Sequence, residues 1–245
     1  MKYILEVIAF NIESCIAAQR AGANRIELCT GPGEGGTTPP YSFIKKARAL
    51  LAIDLYVMIR PRGGDFLYSG DEFDMMKEDI LQCKALQCDG VVLGILNKDG
   101  SVDTKRCREL VELAYPMQLT FHRAFDRVSN PFEALEDIIS LGFERILTSG
   151  LVPQAVKGAN TLKALVKQAG DRIIIMPGSG VQAGNLPSLA AETGAHEFHS
   201  SASTSLDSTM EYINSEMNEK LSQVTVNESA VEEMVKVLGQ LEASS

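Results

Sequence analysis

Basic residues are the scarce charge in this chain: 23 Lys and Arg face 32 Asp and Glu, a formal net charge of −9 over 245 residues. That balance argues against a nucleic-acid partner, because phosphate backbones are bound by clustered cations. Long apolar runs are also missing. No stretch approaches the roughly 18 to 20 residues that cross a bilayer, and no basic-plus-apolar leader precedes Tyr3-Ile4-Leu5, so no membrane partner and a cytoplasmic location are expected. The cysteines number five, an odd count without a CxxC pair, which fits a reducing compartment better than a disulfide framework. Histidine is limited to three residues, and there is no MxxM or histidine cluster of the kind that marks a dedicated copper site.

What is present is an apolar content of 45 %, enough for a sizeable core, arranged in a repeating unit. Short β-branched runs alternate with amphipathic stretches every 25 to 35 residues or so, the rhythm of βα units on a parallel sheet. Eight strands are expected, at 3–10, 25–29, 54–60, 90–96, 118–125, 145–149, 172–176 and 197–201. Val91-Val92-Leu93 and Ile173-Ile174-Ile175-Met176 are continuous in apolar residues, as strands covered on both faces should be. Asn130-Pro131-Phe132-Glu133 supplies a helix start and Gly142 a stop. Ser229-Ala230-Val231-Glu232 reads as a capping box opening a last helix over 228–243, after a connection at 205–227 with one helical turn. Eight such units in one chain predict a single-domain α/β (β/α)8 TIM barrel over 1–245. The rival is an open doubly wound sheet, suggested by a literal GxGxxG at Gly31-Pro32-Gly33-Glu34-Gly35-Gly36. Proline at its second position removes an amide donor, Thr37-Thr38-Pro39-Pro40 delays the helix, and no acidic residue ends the next strand, so a mouth loop is the better reading.

Barrel active sites lie at the C-terminal ends of strands, and the polar residues of this chain fall there. Leu119-Thr120-Phe121-His122-Arg123-Ala124-Phe125-Asp126 ends a buried strand in three groups that are costly to desolvate. Strand one offers Glu6, strand two Glu27 and Cys29, and strand three Arg60, followed by Arg62, Gly63, Gly64 and Asp65. Strand six ends in Thr148, Ser149 and Gly150, strand seven in Gly178, Ser179 and Gly180, and strand eight in His199, Ser200 and Ser201. The loops 31–38 and 62–70, the latter with Phe66 and Tyr68, are expected to cover the mouth. His196 precedes the last strand and is given no role.

Ile26-Glu27-Leu28-Cys29, Glu34-Gly35-Gly36, Ile59-Arg60-Pro61-Arg62-Gly63-Gly64-Asp65-Phe66, Thr120 to Asp126, Leu147-Thr148-Ser149-Gly150 and His199-Ser200-Ser201 together resemble the CutC family, over about 1–203. The resemblance implies a cytoplasmic TIM-barrel protein, commonly a homo-oligomer, from a family named for copper homeostasis and without an assigned reaction.

Three functions are compatible with these residues. The first is copper handling, with Cys29 as the metal ligand and Met58 or Met176 as soft partners; helix or core packing of the same residues is the plain alternative. The second is a lyase, isomerase or hydrolase acting on a small anionic or phosphorylated compound. There Glu27, His122 and Asp126 are the acid–base candidates, His122 through a pKa near neutrality. Arg60, Arg62, Asp65, Arg123, Ser149, Gly178, Gly180, His199 and Ser201 are the ligand-binding candidates, with arginine suited to a bidentate grip and the glycine turns to phosphate. The third is a binding module with the same pocket and no turnover. Against all three stands a structural network in which Arg60 pairs with Glu27 and Arg123 with Asp126. A divalent site of Glu6, Glu27 and His122 is a further arrangement.

Overall fold

In the computed structural model, which describes residues 2–244, eight parallel strands wind into a nearly closed barrel. They are β1 (Ile4–Ala9), β2 (Arg25–Leu28), β3 (Asp54–Met58), β4 (Gly90–Leu93), β5 (Gln118–Phe121), β6 (Arg145–Thr148), β7 (Ile174–Pro177) and β8 (Glu197–Ser200). The hydrogen-bonded order runs β7-β6-β5-β4-β3-β2-β1-β8. β7 and β8 lie side by side without a ladder.

Around the strands run α1 (Ile12–Arg20), α2 (Tyr41–Leu50), α3 (Gly70–Ala85), α4 (Thr104–Ala114), α5 (Pro131–Leu141), α6 (Ala159–Ala169), α7 (Leu186–Thr193) and α8 (Glu228–Ala243). Asn130 caps α5 by accepting from the Phe132 and Glu133 amides, and Gly142 ends it in the left-handed region that a side chain would resist. α8 packs on both α1 and α7 and completes the helical ring. Its cap is Asn227, which accepts from the Ala230 amide, and not the expected Ser229.

Alternate strand residues serve two different interiors. Leu5, Val7, Ile26, Leu28, Val57, Val91 and Leu93 face the helices and build the main apolar core. The opposite phase, Glu6, Arg25, Glu27, Tyr56, Thr120, Arg145, Glu197 and His199, is buried inside the barrel and is mostly polar. A small apolar cluster of Cys29, Tyr56, Met58 and Val92 shares that space.

Two expectations change at strand ends. β5 stops at Phe121, because the His122 imidazole accepts from the Ala124 amide and residues Arg123–Arg127 turn into a 3-10 helix. The connection expected at 205–227 is instead mostly an antiparallel hairpin, β9 (Ser203–Leu206) with β10 (Gln223–Val226), and the expected short helical turn, Ser215–Met217, lies between its two strands. Asn11 and Ser14, at the start of α1, hold the hairpin by hydrogen bonds to Val224 O and to Thr225 and Val226. Its strands bring Ser203 and Val224 to the barrel mouth.

Candidate active site

Strand register sets the first layer of the site. Glu6 on β1 stands opposite Arg25 on β2 and His199 on β8, so one carboxylate meets a guanidinium and an imidazole from its two neighbours. Arg25 Nε donates to Glu6 Oε2 at 2.5 Å, and its Nη2 donates to Glu197 Oε2 at 2.6 Å. Arg145 Nε donates to the same Glu197 oxygen, and its terminal nitrogens donate to the Tyr56 hydroxyl and Gln118 at 3.0 Å each. Both guanidiniums flank the Tyr56 ring, 4.8 and 5.0 Å from its centroid. Gly90 makes this possible, since a Cβ there would lie 2.6 Å from the ring. The lower barrel is therefore filled with ions that are all hydrogen-bonded.

One layer higher, His199 Nδ1 lies 2.7 Å from Glu6 Oε1, and its Nε2 lies 3.9 Å from Glu27 Oε2. Burial pushes both carboxyls up, but the outcomes diverge. Arg25 and His199 outweigh burial at Glu6 and bring it to about 2, whereas burial dominates at Glu27 and raises it to about 7. His199 is also buried, yet the Glu27 and Glu6 carboxylates raise its pKa above the ordinary imidazole value. The ring thus sits between two carboxylates with one nitrogen toward each. The divalent set expected from Glu6, Glu27 and His122 forms with a different histidine: Glu6, Glu27 and His199 bring one ligand atom each within 4.8 Å of one another, and His122 is not among them.

His122 stands elsewhere on the mouth wall. Its Nδ1 accepts from the Ala124 amide at 3.3 Å, which leaves the ring proton on Nε2. Burial and the Arg60 charge lower its pKa to about 3, so it is a neutral donor and not the near-neutral base expected from its ordinary pKa. Gly94 leaves room for the ring; a Cβ there would fall 2.9 Å from it.

Arg60 reaches the same space from the end of β3. The expected pair with Glu27 is absent: Arg60 Nη1 donates to Glu34 O at 2.6 Å and Gly36 O at 2.9 Å, and Nη2 donates to Gly64 O at 3.0 Å. It thereby ties the loops 31–38 and 62–70 together, with Phe66 against its guanidinium at 4.9 Å. The Phe66 ring also lies 4.8 Å from the His122 ring.

A cavity of about 410 Å³ opens above these groups, with Glu27, Arg60, His122, Arg123, Gly180, His199 and Ser201 among its lining residues. Seven of the residues expected at the site thus converge. The others do not line it. Cys29 is buried beside it, its thiol 3.7 Å from Glu27 Oε2 and held protonated by burial and by that carboxyl. Asp126, expected as a catalytic carboxylate, is occupied by the Thr148 hydroxyl, the Ser149 and Leu151 amides and Arg123, an arrangement that positions the loop after β6. This is the structural Arg123–Asp126 pair considered above. Ser149 is part of the same cluster. Arg62 and Asp65 pair with each other, and Arg62 also pairs with Glu72, on the outer side of the 62–70 loop. Gly178 packs against Leu147 and His199 with no room for a side chain.

Three buried polar atoms on cavity-lining residues have no protein partner: Glu27 Oε1, Arg60 Nε and His122 Nε2. The sequence reading named all three residues but missed the network beneath them. Arg25, Arg145 and Glu197 open their strands, and the period-two alternation Arg25, Glu27, Cys29 was the signal that the first of them faces inward.

The family model described as CutC family matches residues 3–204. A family protein CutC of Chromobacterium violaceum is 53 % identical over 212 residues, covering 86 % of each chain. The human protein named copper homeostasis protein cutC homolog is 46 % identical over 213 residues, 87 % of this chain and 78 % of the relative. A CutC crystal structure from Streptococcus agalactiae superposes with a TM-score of 0.78 at 37 % identity, covering 81 % of this chain and 98 % of the other. With the family model matching most of its length and these relatives alongside it, the chain belongs to the CutC family.

Proposed function

We propose that the cavity binds a small anionic compound and moves a proton on it. The observation that carries this reading is the trio of unpartnered buried atoms, Glu27 Oε1, Arg60 Nε and His122 Nε2, on residues of β2 and just beyond the ends of β3 and β5 that all line one cavity. Native proteins rarely leave buried polar atoms unpaired, and such atoms gather where a ligand completes them. Glu27, at about 7, exchanges a proton near neutrality. His122 is a neutral donor for an oxygen that gains negative charge, and Arg60 neutralises the anion. The Arg25–Glu6–His199 chain fixes the charge beside Glu27. The reaction class that fits is a lyase or an isomerase. The reading keeps the protein in a reducing cytoplasm, where its five buried thiols stay unpaired.

The test is mass spectrometry of a cell-metabolite extract incubated with the protein. A compound should change with wild type, and its turnover should fall by roughly 10²- to 10⁴-fold with Glu27→Gln. Binding without change in any compound would leave a binding module in place of an enzyme.

Copper handling, the role in the human relative's name, is the second reading. One adjacency favours it: a Cβ on Gly36 would lie 3.1 Å from Cys29 Sγ and 3.5 Å from Met58 Cε, so a thiol and a thioether border one point. Cu(I) is usually held by two or three soft ligands, and Cys29 is a protonated lone thiol; the other four cysteines are buried outside the cavity lining. The donor set does not fit a dedicated copper centre. Equal copper retention by wild type and Cys29→Ser after anaerobic purification would close this reading.

A further inference from the structure

The end of α3 brings two thiols together. Leu86 is its C-cap, and around it the Gln87 amide donates to the Lys84 carbonyl and the Cys88 amide to the Cys83 carbonyl, both at 3.0 Å. These two bonds form a Schellman closure, which sets the side chain three residues before the cap against the one two residues after it. Gln87 takes the left-handed conformation that the closure requires, at φ 57°. An apolar pair is usual at the two facing positions; here both are cysteine. The Cys88–Cys83 backbone bond keeps the two α-carbons within about 7 Å, the outer limit for a disulfide, and the two thiols hydrogen-bond to each other.

The two sulfurs are not equivalent. Cys83 is fully buried, whereas Cys88 is 5 % exposed and lies between exposed Gln87 and Asp89. The Cys83 thiol donates to the Cys88 sulfur, and the guanidinium of Arg48, which pairs with Asp89, adds positive charge; together they outweigh burial and bring Cys88 below the ordinary thiol value. The same bond and burial push Cys83 up. Cys15, Cys29 and Cys107 have no thiol beside them and are pushed up by burial.

We propose that Cys83 and Cys88 are a modification site for a hydroperoxide, a dithiol that closes to a disulfide across the end of α3. At rest both are free thiols, as a reducing compartment keeps them. The Cys88 thiolate attacks one peroxide oxygen; the O–O bond breaks, the far oxygen leaves as hydroxide and takes a proton to become water, and Cys88 is left as a sulfenic acid. Cys83 then gives up its proton, its sulfur forms the S–S bond, and the S–O bond breaks to release a second water. Two thiols are oxidised by two electrons and one peroxide is reduced. The site lies before β4, at the end of the barrel away from the mouth, and neither cysteine lines the cavity, so it is independent of the proton-transfer reading.

The experiment treats the folded, full-length protein with hydrogen peroxide, alkylates the remaining thiols and maps the tryptic peptides by mass spectrometry. Cleavage after Lys84 separates the two cysteines, so a disulfide should join peptides 78–84 and 85–98 until dithiothreitol releases them. Two of the five free thiols should be lost together, at least about tenfold faster than Cys15 or Cys107. Cys83→Ser should halt at the sulfenic acid on Cys88, trapped by dimedone, and Cys88→Ser should leave Cys83 as slow to react as Cys107. The wild-type peptide map decides the matter even if a variant fails to fold. Loss of the other thiols as fast as this pair, or joined peptides only after urea unfolds the chain, overturns the proposal.

Discussion

The two ends of the barrel interior are filled by similar residues under opposite conditions. At the lower end Glu6, Arg25, Glu197 and Arg145 each hold at least one charged partner, and Arg145 also donates to Tyr56 and Gln118. At the mouth, Glu27, Arg60 and His122 each keep a buried polar atom with no partner. Desolvating an ion is tolerated only when its hydrogen bonds are made inside the protein. The lower layer meets that condition by itself and so reads as structure. The upper layer meets it only in part, and what it lacks defines what it can bind.

The largest effect expected from this difference is at the lower end. Arg25→Met removes the guanidinium that joins Glu6 to Glu197 and leaves two buried carboxylates facing each other. A loss of about 3–5 kcal/mol is expected, read from the urea unfolding midpoint. A loss below about 1 kcal/mol would show that the paired layer is not what holds the barrel interior together.

A smaller, pH-dependent effect is expected at Glu27. Folded Glu27 keeps its proton to about pH 7, whereas an ordinary glutamate loses it near 4.5. Between those values the folded state binds more protons, so the stability this group contributes is present below about 4.5 and is lost as pH rises through 7. Glutamine does not titrate. The stability of Glu27→Gln relative to wild type should therefore rise by about 3 kcal/mol between pH 4.5 and 8. A pH-independent difference would mean that Glu27 is as well paired as Glu6, and the contrast between the layers would fail.

The two layers were not equally legible in the sequence. The barrel followed from period-two apolar runs alternating with capped helices, and Asn130, Pro131 and Gly142 marked the ends of α5 directly. Glu27, Arg60 and His122 were legible as polar residues where a buried strand ends. Their states were not: His122 is held neutral first by burial and then by Arg60, 62 residues earlier in the chain but nearby in the fold, and the Arg60 guanidinium is taken up by three loop carbonyls instead of Glu27. The partner of Glu6 and Glu27 depended on register, which puts His199 opposite Glu6. The hairpin was missed because β9 and β10 are short and largely exposed, so neither carries the alternation that burial imposes.

The smallest effect expected separates the layers most sharply, because it removes a polar group from the mouth. His122→Asn places a side-chain oxygen close to where Nδ1 stood, so the Ala124 amide keeps an acceptor. The group removed, Nε2–H, has no partner to leave stranded. What is lost is ring contact with Phe66 and Phe121, and the space vacated joins a cavity that is already present. The expected cost is about 1 kcal/mol or less in the urea midpoint, against about 3–5 for Arg25→Met, although both residues are almost fully buried. A stability loss as large as that of Arg25→Met would mean that His122 is held in the fold by interactions as strong as those of the paired ions, and the mouth would have to be read as structure as well.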